Sequence, residues 1–112
     1  DRSVLVSDCI ASLGMPDGPF ELAGQPVTAH RGIIRDAQGN LAGSALSMAE
    51  AARTFLRHVP TAGPWSIARM TATNPANLID RTDRGVIAPG RRAQFSVLDD
   101  NGQFSAYVPP SE

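Results

Sequence analysis

The chain has 112 residues and 42% hydrophobic residues, enough for one small globular domain with a modest core and unlike a disordered segment. Ten basic and eleven acidic side chains leave a net charge of −1, which gives no footing to a nucleic-acid face or a membrane-binding patch. All ten basic residues are Arg, so a lysine nucleophile or Schiff base within the chain is excluded.

Val4-Leu5-Val6 is a continuous apolar run ending at Ser7-Asp8, the pattern of a buried strand in a parallel sheet. Gly14 to Gly18 is rich in Gly and Pro and predicts a loop. Phe20-Glu21-Leu22 and Val27-Thr28-Ala29 flank a turn at Ala23 to Pro26 and predict a β-hairpin. Ile33-Ile34 continues the extended pattern, and Asp36 to Asn40 turns the chain again. Ser47, with Glu50 three residues on, forms a capping box. Met48, Ala52, Phe55, Leu56 and Val59 then recur at helical spacing, until Pro60 and Gly63 end the helix. Pro64 predicts the first turn of a second helix running to about Thr71. Asn74-Pro75 predicts the cap and first residue of a short third. After breaks at Gly85, Pro89 and Gly90, Phe95 to Leu98 and Phe104 to Val108 pair across a turn at Asp99 to Gly102. Pro109-Pro110 stops that pairing.

Two of these elements want neighbours. A strand covered on both faces needs partners on both sides, and an isolated hairpin is marginal in water. Both ends of the chain therefore predict further sequence, as does an opening residue, Asp1, that is not Met. No apolar run reaches the length of a membrane-crossing helix, and no signal peptide opens the chain.

Asp8 is the first candidate for chemistry. A carboxylate just past a buried strand sits where barrel enzymes place catalytic groups, and it can orient or deprotonate a metal-bound water. Position alone favours a plainer role, capping the loop that follows. Leu41-Ala42-Gly43-Ser44 is the second, read as a small-residue turn that lets backbone approach a ligand. A lone Gly-Ser turn is common and is weak by itself. His30 and His58 share no ligand spacing with each other or with Cys9, and both read as surface or structural. The single cysteine, Cys9, excludes an intrachain disulfide and reads as a small buried hydrophobe, and Trp65 as packing.

Taken in order, Thr73-Asn74-Pro75-Ala76, Arg84 to Gly90, and Ala93 to Asp99 resemble the closing signature of the amidohydrolase superfamily. Leu5-Val6-Ser7-Asp8, Pro16-Asp17-Gly18, the hairpin through Gly24, and Gly39 to Met48 resemble, more narrowly, N-acetylglucosamine-6-phosphate deacetylases. The resemblance implies an α/β fold, a C-terminal fragment of a TIM-like (β/α)8 barrel. Residues 1–80 would be the last strand, a hairpin excursion and the closing helices. Residues 81–112 would be part of a small β-sandwich. It implies hydrolysis of the N-acetyl group of an amino-sugar 6-phosphate in the full-length parent, with Asp8 as general base and acid and Leu41, Ala42 and Gly43 along the substrate pocket. It further implies a divalent metal of zinc or iron type, with Asp8 the one candidate ligand in this chain and the others outside it, the missing N-terminal part of the chain as partner, a homodimer, and a cytoplasmic setting.

The fragment alone is expected to be inactive, since a whole barrel takes about 250 residues. Departures from the pattern are Cys9-Ile10 in place of small residues, Asp80 in place of a helix-ending glycine, Gln94 in place of an Asp, and the tail from Tyr107 to Glu112. The rival readings are a dihydroorotase-like or aminoacylase-like amidohydrolase, against which Gly39 to Met48 argues, and a non-catalytic binding or scaffold piece.

Overall fold

The computed structural model describes residues 2–109. They form two compact units, Val6–Ala51 and, separately, residues 2–5 with 52–109. Asp1 and residues 110–112, with the end of the divergent tail, lie outside the described residues.

In the first unit, strands β1 (Gly18–Leu22), β2 (Gln25–His30), β3 (Ile33–Asp36) and β4 (Leu41–Ser44) form an antiparallel meander in the order β1-β2-β3-β4. The hairpin expected around Ala23 is thus the first half of a larger sheet. Side chains alternate across a strand, so Val27 and Ala29 of β2 turn to one face, and the register sets Ala29 against Ile34 of β3. These three are 5%, 5% and 0% exposed and make the core, with Ile10, Phe20, Leu22, Ala42 and Ala45 packed around them. Burying a side chain the size of Ile34 stabilises by about 1.5–3 kcal/mol. Its cross-strand partner is Gly43, and the register slips between Ile34 and Arg35, so that Ala42 faces no residue of β3. That is a β-bulge, which bends β4 locally. Leu41 to Ser44, expected as a turn, is therefore a strand: the long-range pairing with β3 outweighs the turn propensity of Gly and Ser.

The β1–β2 turn is two residues long, with Ala23 at φ 49° and Gly24 at φ 78°, the signature of a type I′ turn. Alanine has no side-chain means of offsetting the left-handed conformation.

One loop design occurs twice, Asp36-Ala37-Gln38-Gly39-Asn40 between β3 and β4 and Asp99-Asp100-Asn101-Gly102-Gln103 in the final hairpin. Asp36 Oδ1 accepts the N–H groups of Gln38 and Asn40 at 2.9 and 2.8 Å, and Asp99 Oδ1 accepts those of Asn101 and Gln103 at 2.9 and 2.7 Å. The loop then closes by a 3.0 Å bond from the aspartate's own N–H to the fifth residue's carbonyl. The fourth residue is a glycine at φ 84° or 75°. In the first copy the Asn40 side-chain amide also holds the Asp36 carboxyl below the usual carboxylate range.

Helix α1 (Met48–His58) starts as the capping box requires. Ser47 N–H donates to Glu50 Oε2 at 2.9 Å and Glu50 N–H to Ser47 Oγ at 3.2 Å, and the Ser47 hydroxyl adds a third bond to Glu50 Oε2 at 2.8 Å. The apolar stripe is buried at Ala52 and half-buried at Phe55, Leu56 and Val59, while Met48, at the helix start, is exposed.

In the second unit, α2 (Pro64–Ala68) does not end near Thr71 but runs directly into a π-helical turn (Arg69–Thr73) and then α3 (Asn74–Leu78). Asn74, expected as an N-cap, is helical, with φ −67° and ψ −43°, and its N–H reaches the carbonyl of Arg69. Pro75 supplies the reason: it has no N–H, and in a regular α-helix its ring would crowd the carbonyl four residues back. A wider turn ahead of it lets the helix continue. Freed from capping, the Asn74 side chain donates to the carbonyl of Ser3 at 2.7 Å.

Val4 to Val6 does not form the expected buried strand. Val6 is 69% exposed, and Leu5 N–H finds the carbonyl of Met70 at 3.1 Å rather than a strand. An extended segment becomes a strand only beside another, and no strand among the described residues pairs with it.

α3 closes with Asp80 at φ 54° and Arg81 N–H bonded to the carbonyl of Ala76 at 2.8 Å, a helix stop that usually falls on glycine. The Asp83 carboxylate then gathers Arg81, Arg84 and Arg92 at 3.0, 3.0 and 2.7 Å. Arg81 first, and then Arg84, holds its carboxyl far below the usual range. β5 (Phe95–Leu98) and β6 (Phe104–Tyr107) form the final hairpin as expected, with Phe95 and Tyr107 stacked at 6.0 Å.

Ser47→Ala is expected to lower the unfolding free energy of the whole protein by about 1 kcal/mol in denaturant melts, and an unchanged midpoint would place the helix start elsewhere. Ala23→Asn, which suits a left-handed turn position, is expected to raise it by about 1 kcal/mol, and a lower midpoint would show that the turn is not of this type.

Candidate functional site

The first unit carries an open hollow of about 540 Å3, lined by Ser7, Asp8, Gly32, Ile33, Leu46 and all of β4 from Leu41 to Ser44. The predicted residues Asp8, Leu41, Ala42 and Gly43 thus lie around one space, although 33 to 35 positions of sequence separate Asp8 from the other three.

Local geometry explains how they meet. Cys9 makes a parallel bridge with Ser44, and Ile10 N–H donates to the carbonyl of Ser44 at 2.9 Å. This lays the chain after Asp8 along the edge of the meander beside β4. Asp8 itself stands at φ 50°, in the left-handed region, where an aspartate is tolerated better than most side chains. Gly43, at φ 150°, leaves room for the neighbouring segment: a Cβ there would lie 3.0 Å from Ile10 Cγ2. Ser44 Oγ accepts the N–H of Leu46 at 3.0 Å, settling the chain on its way from β4 toward α1.

The hollow has a polar end and an apolar wall. Asp8 is exposed and is the one titratable group among the lining residues, with the hydroxyl-bearing Ser7 beside it in sequence. Leu41 and Ile33 present apolar surface, 72% and 45% exposed. An exposed carboxylate beside a small apolar patch can accept a proton from water. Sequence reading missed Gly32, Ile33 and Leu46 as lining residues, because only the β2–β3 turn and the chain leaving β4 bring them there.

A divalent ion in a protein site is usually held by three or four side-chain ligands. Among the described residues no group of three or more His, Cys, Asp or Glu side chains lies close enough to hold one, and the hollow offers the single carboxylate of Asp8. The residues present therefore do not fit a metal site by themselves. His30 stands elsewhere, with Nδ1 3.3 Å from Asp17 Oδ2 on the surface, and His58 is exposed at the end of α1. Cys9, expected to be buried, is exposed. Trp65, expected to pack, is 78% exposed at the rim of a second, smaller hollow of about 340 Å3.

No family model matches the chain. An N-acetylgalactosamine-6-phosphate deacetylase of Escherichia coli O157:H7 is 36% identical over 100 residues, which make up 88% of this chain and 26% of that protein. A shorter protein of Escherichia coli strain K12 is also 36% identical over 100 residues, and the chain spans 59% of its length. The crystal structure of N-acetylglucosamine-6-phosphate deacetylase from Thermotoga maritima superposes with a TM-score of 0.82 at 31% identity, over 91% of this chain and 28% of that one. The chain thus spans between about a quarter and three-fifths of these relatives, and by sequence and fold it is similar, over most of its length, to part of the N-acetylglucosamine- and N-acetylgalactosamine-6-phosphate deacetylases.

Proposed function

We propose that the chain is part of an amidohydrolase that removes the N-acetyl group from an amino-sugar 6-phosphate, releasing acetate and the free amine. The observation that carries this reading is the meeting of Asp8 with Leu41, Ala42 and Gly43 around one hollow. The relatives' names supply the substrate class, and they divide between glucosamine and galactosamine derivatives.

In this reading the substrate's acetamido group lies along β4, with its methyl against the apolar wall of Leu41 and Ile33. The Asp8 carboxylate takes a proton from the attacking water as the water oxygen bonds to the amide carbon. It then delivers that proton to the nitrogen as the carbon–nitrogen bond breaks, so one group serves first as base and then as acid. A metal of zinc or iron type belongs to the proposal for the whole protein; apart from Asp8, its ligands would come from residues outside these 112, and the chain alone would be inactive. The architecture proposed to support this is the end of a (β/α)8 barrel over residues 1–80, where Val4 to Val6 gains strand neighbours, followed by part of a β-sandwich over 81–112.

In the whole protein, Asp8→Asn is expected to lower kcat by about 10²–10⁴-fold while KM stays within a few-fold, because a proton-transfer group contributes to the transition state rather than to ground-state binding. Metal content is measured alongside. Full metal with near wild-type turnover would reduce Asp8 to a loop residue and withdraw the proposal. The isolated 112-residue chain is expected to retain no stoichiometric zinc after dialysis; zinc retained, and lost on His30→Ala, would reveal a ligand set that the structure does not show.

A further inference from the structure

Ile10 is two residues beyond Asp8. Its N–H is bonded to the carbonyl of Ser44 at 2.9 Å. Its side chain fills the space above Gly43, so that a Cβ on Gly43 would lie 3.0 Å from Ile10 Cγ2, 3.4 Å from Cδ1 and 3.5 Å from Cγ1. It also packs against the core of Val27, Ala29 and Ile34. The segment is thereby held at three points: a backbone bond to β4, a side chain seated on β4's glycine, and apolar contact with the sheet.

Asp8 needs such a hold. Its φ of 50° is one that L-residues adopt sparingly, and it persists where the surroundings over-determine it. We infer that Ile10 is a positioning residue for Asp8: by seating its β-branched methyl against Gly43 and bonding to Ser44, it fixes the backbone turn that aims the Asp8 carboxylate into the hollow. This rests on the reading of Asp8 as the proton-transfer group. A small residue there would leave Gly43 uncovered and the turn at Asp8 held by the backbone pairing with Ser44 alone.

The test compares two substitutions in the whole protein, with Asp8→Asn as reference. Ile10→Val keeps Cγ2, the atom closest to Gly43, and loses only Cδ1. Ile10→Leu keeps the volume but moves the branch off Cβ, so Cγ2 disappears. Both changes are mild for a core, so the protein is expected to fold in each case, with thermal melts as the check. Ile10→Val is expected to hold kcat within about threefold. Ile10→Leu is expected to lose about tenfold or more in kcat with KM little changed, since small displacements of a catalytic group can cost up to about 10²-fold. A merely space-filling role would give the opposite order, with Leu matching Ile and Val the poorer. Leu at or above Val in kcat, with Asp8→Asn inactive, overturns the positioning role and leaves the reading of Asp8 standing. An active Asp8→Asn protein removes the reading of Asp8 and the role of Ile10 with it.

Discussion

The hydrogen bond from Ile10 N–H to the carbonyl of Ser44 joins two stretches of chain that nothing in their own sequences would bring together. On one side of it is a segment without regular structure that ends in an aspartate; on the other is the last strand of a meander. Because the bond runs to β4 rather than to β1 at the opposite edge, the aspartate meets the bulged strand, where Ala42 has no partner across the sheet and Gly43 has no side chain. A flat, fully side-chained strand would leave neither the space nor the bend. The bulge bends β4 and the glycine lets Ile10 seat against it, so the carboxylate reaches the hollow because the chain is tied there.

The sheet that supports this arrangement is small. Three buried residues, Val27, Ala29 and Ile34, make its centre, and the partly buried ring around them includes Ala42, which also lines the hollow, and Ile10, two residues from Asp8. Support and function are therefore not separate layers. Exposed apolar residues such as Val6, Leu41, Trp65 and Ile87, from 69% to 87% exposed, show how little of the apolar surface this length of chain can cover.

Features with short-range causes were legible in the sequence. The Ser47/Glu50 box, the stop at Pro60, both Asp-x-x-Gly loops and the final hairpin are set by residues within about five positions of each other, and each is found where the pattern places it. What depended on distant partners was not legible. Leu41 to Ser44 has the composition of a turn but pairs with β3, and Val4 to Val6 has the composition of a strand but no neighbour to pair with. Asn74-Pro75 reads as a helix start until the turn before it widens to admit the proline. Burial of Cys9 and Trp65 was misjudged for the same reason, since residue type sets a tendency and the neighbours decide. For the site, the residue types at Asp8 and Leu41 to Gly43 were visible, but their convergence was not, because a contact over more than thirty positions leaves no periodic trace.

The cluster around Asp83 bears on how this protein should be handled at the bench. Arg81 and Arg84 each grip its carboxylate through Nε and Nη2, a two-pronged contact that a lysine cannot make. Guanidinium chloride brings the same planar cation in solution, at concentrations that both compete for the carboxylate and screen it, whereas urea carries no charge. The contacts that hold the loop after α3 are therefore weakened more by guanidinium chloride than by urea.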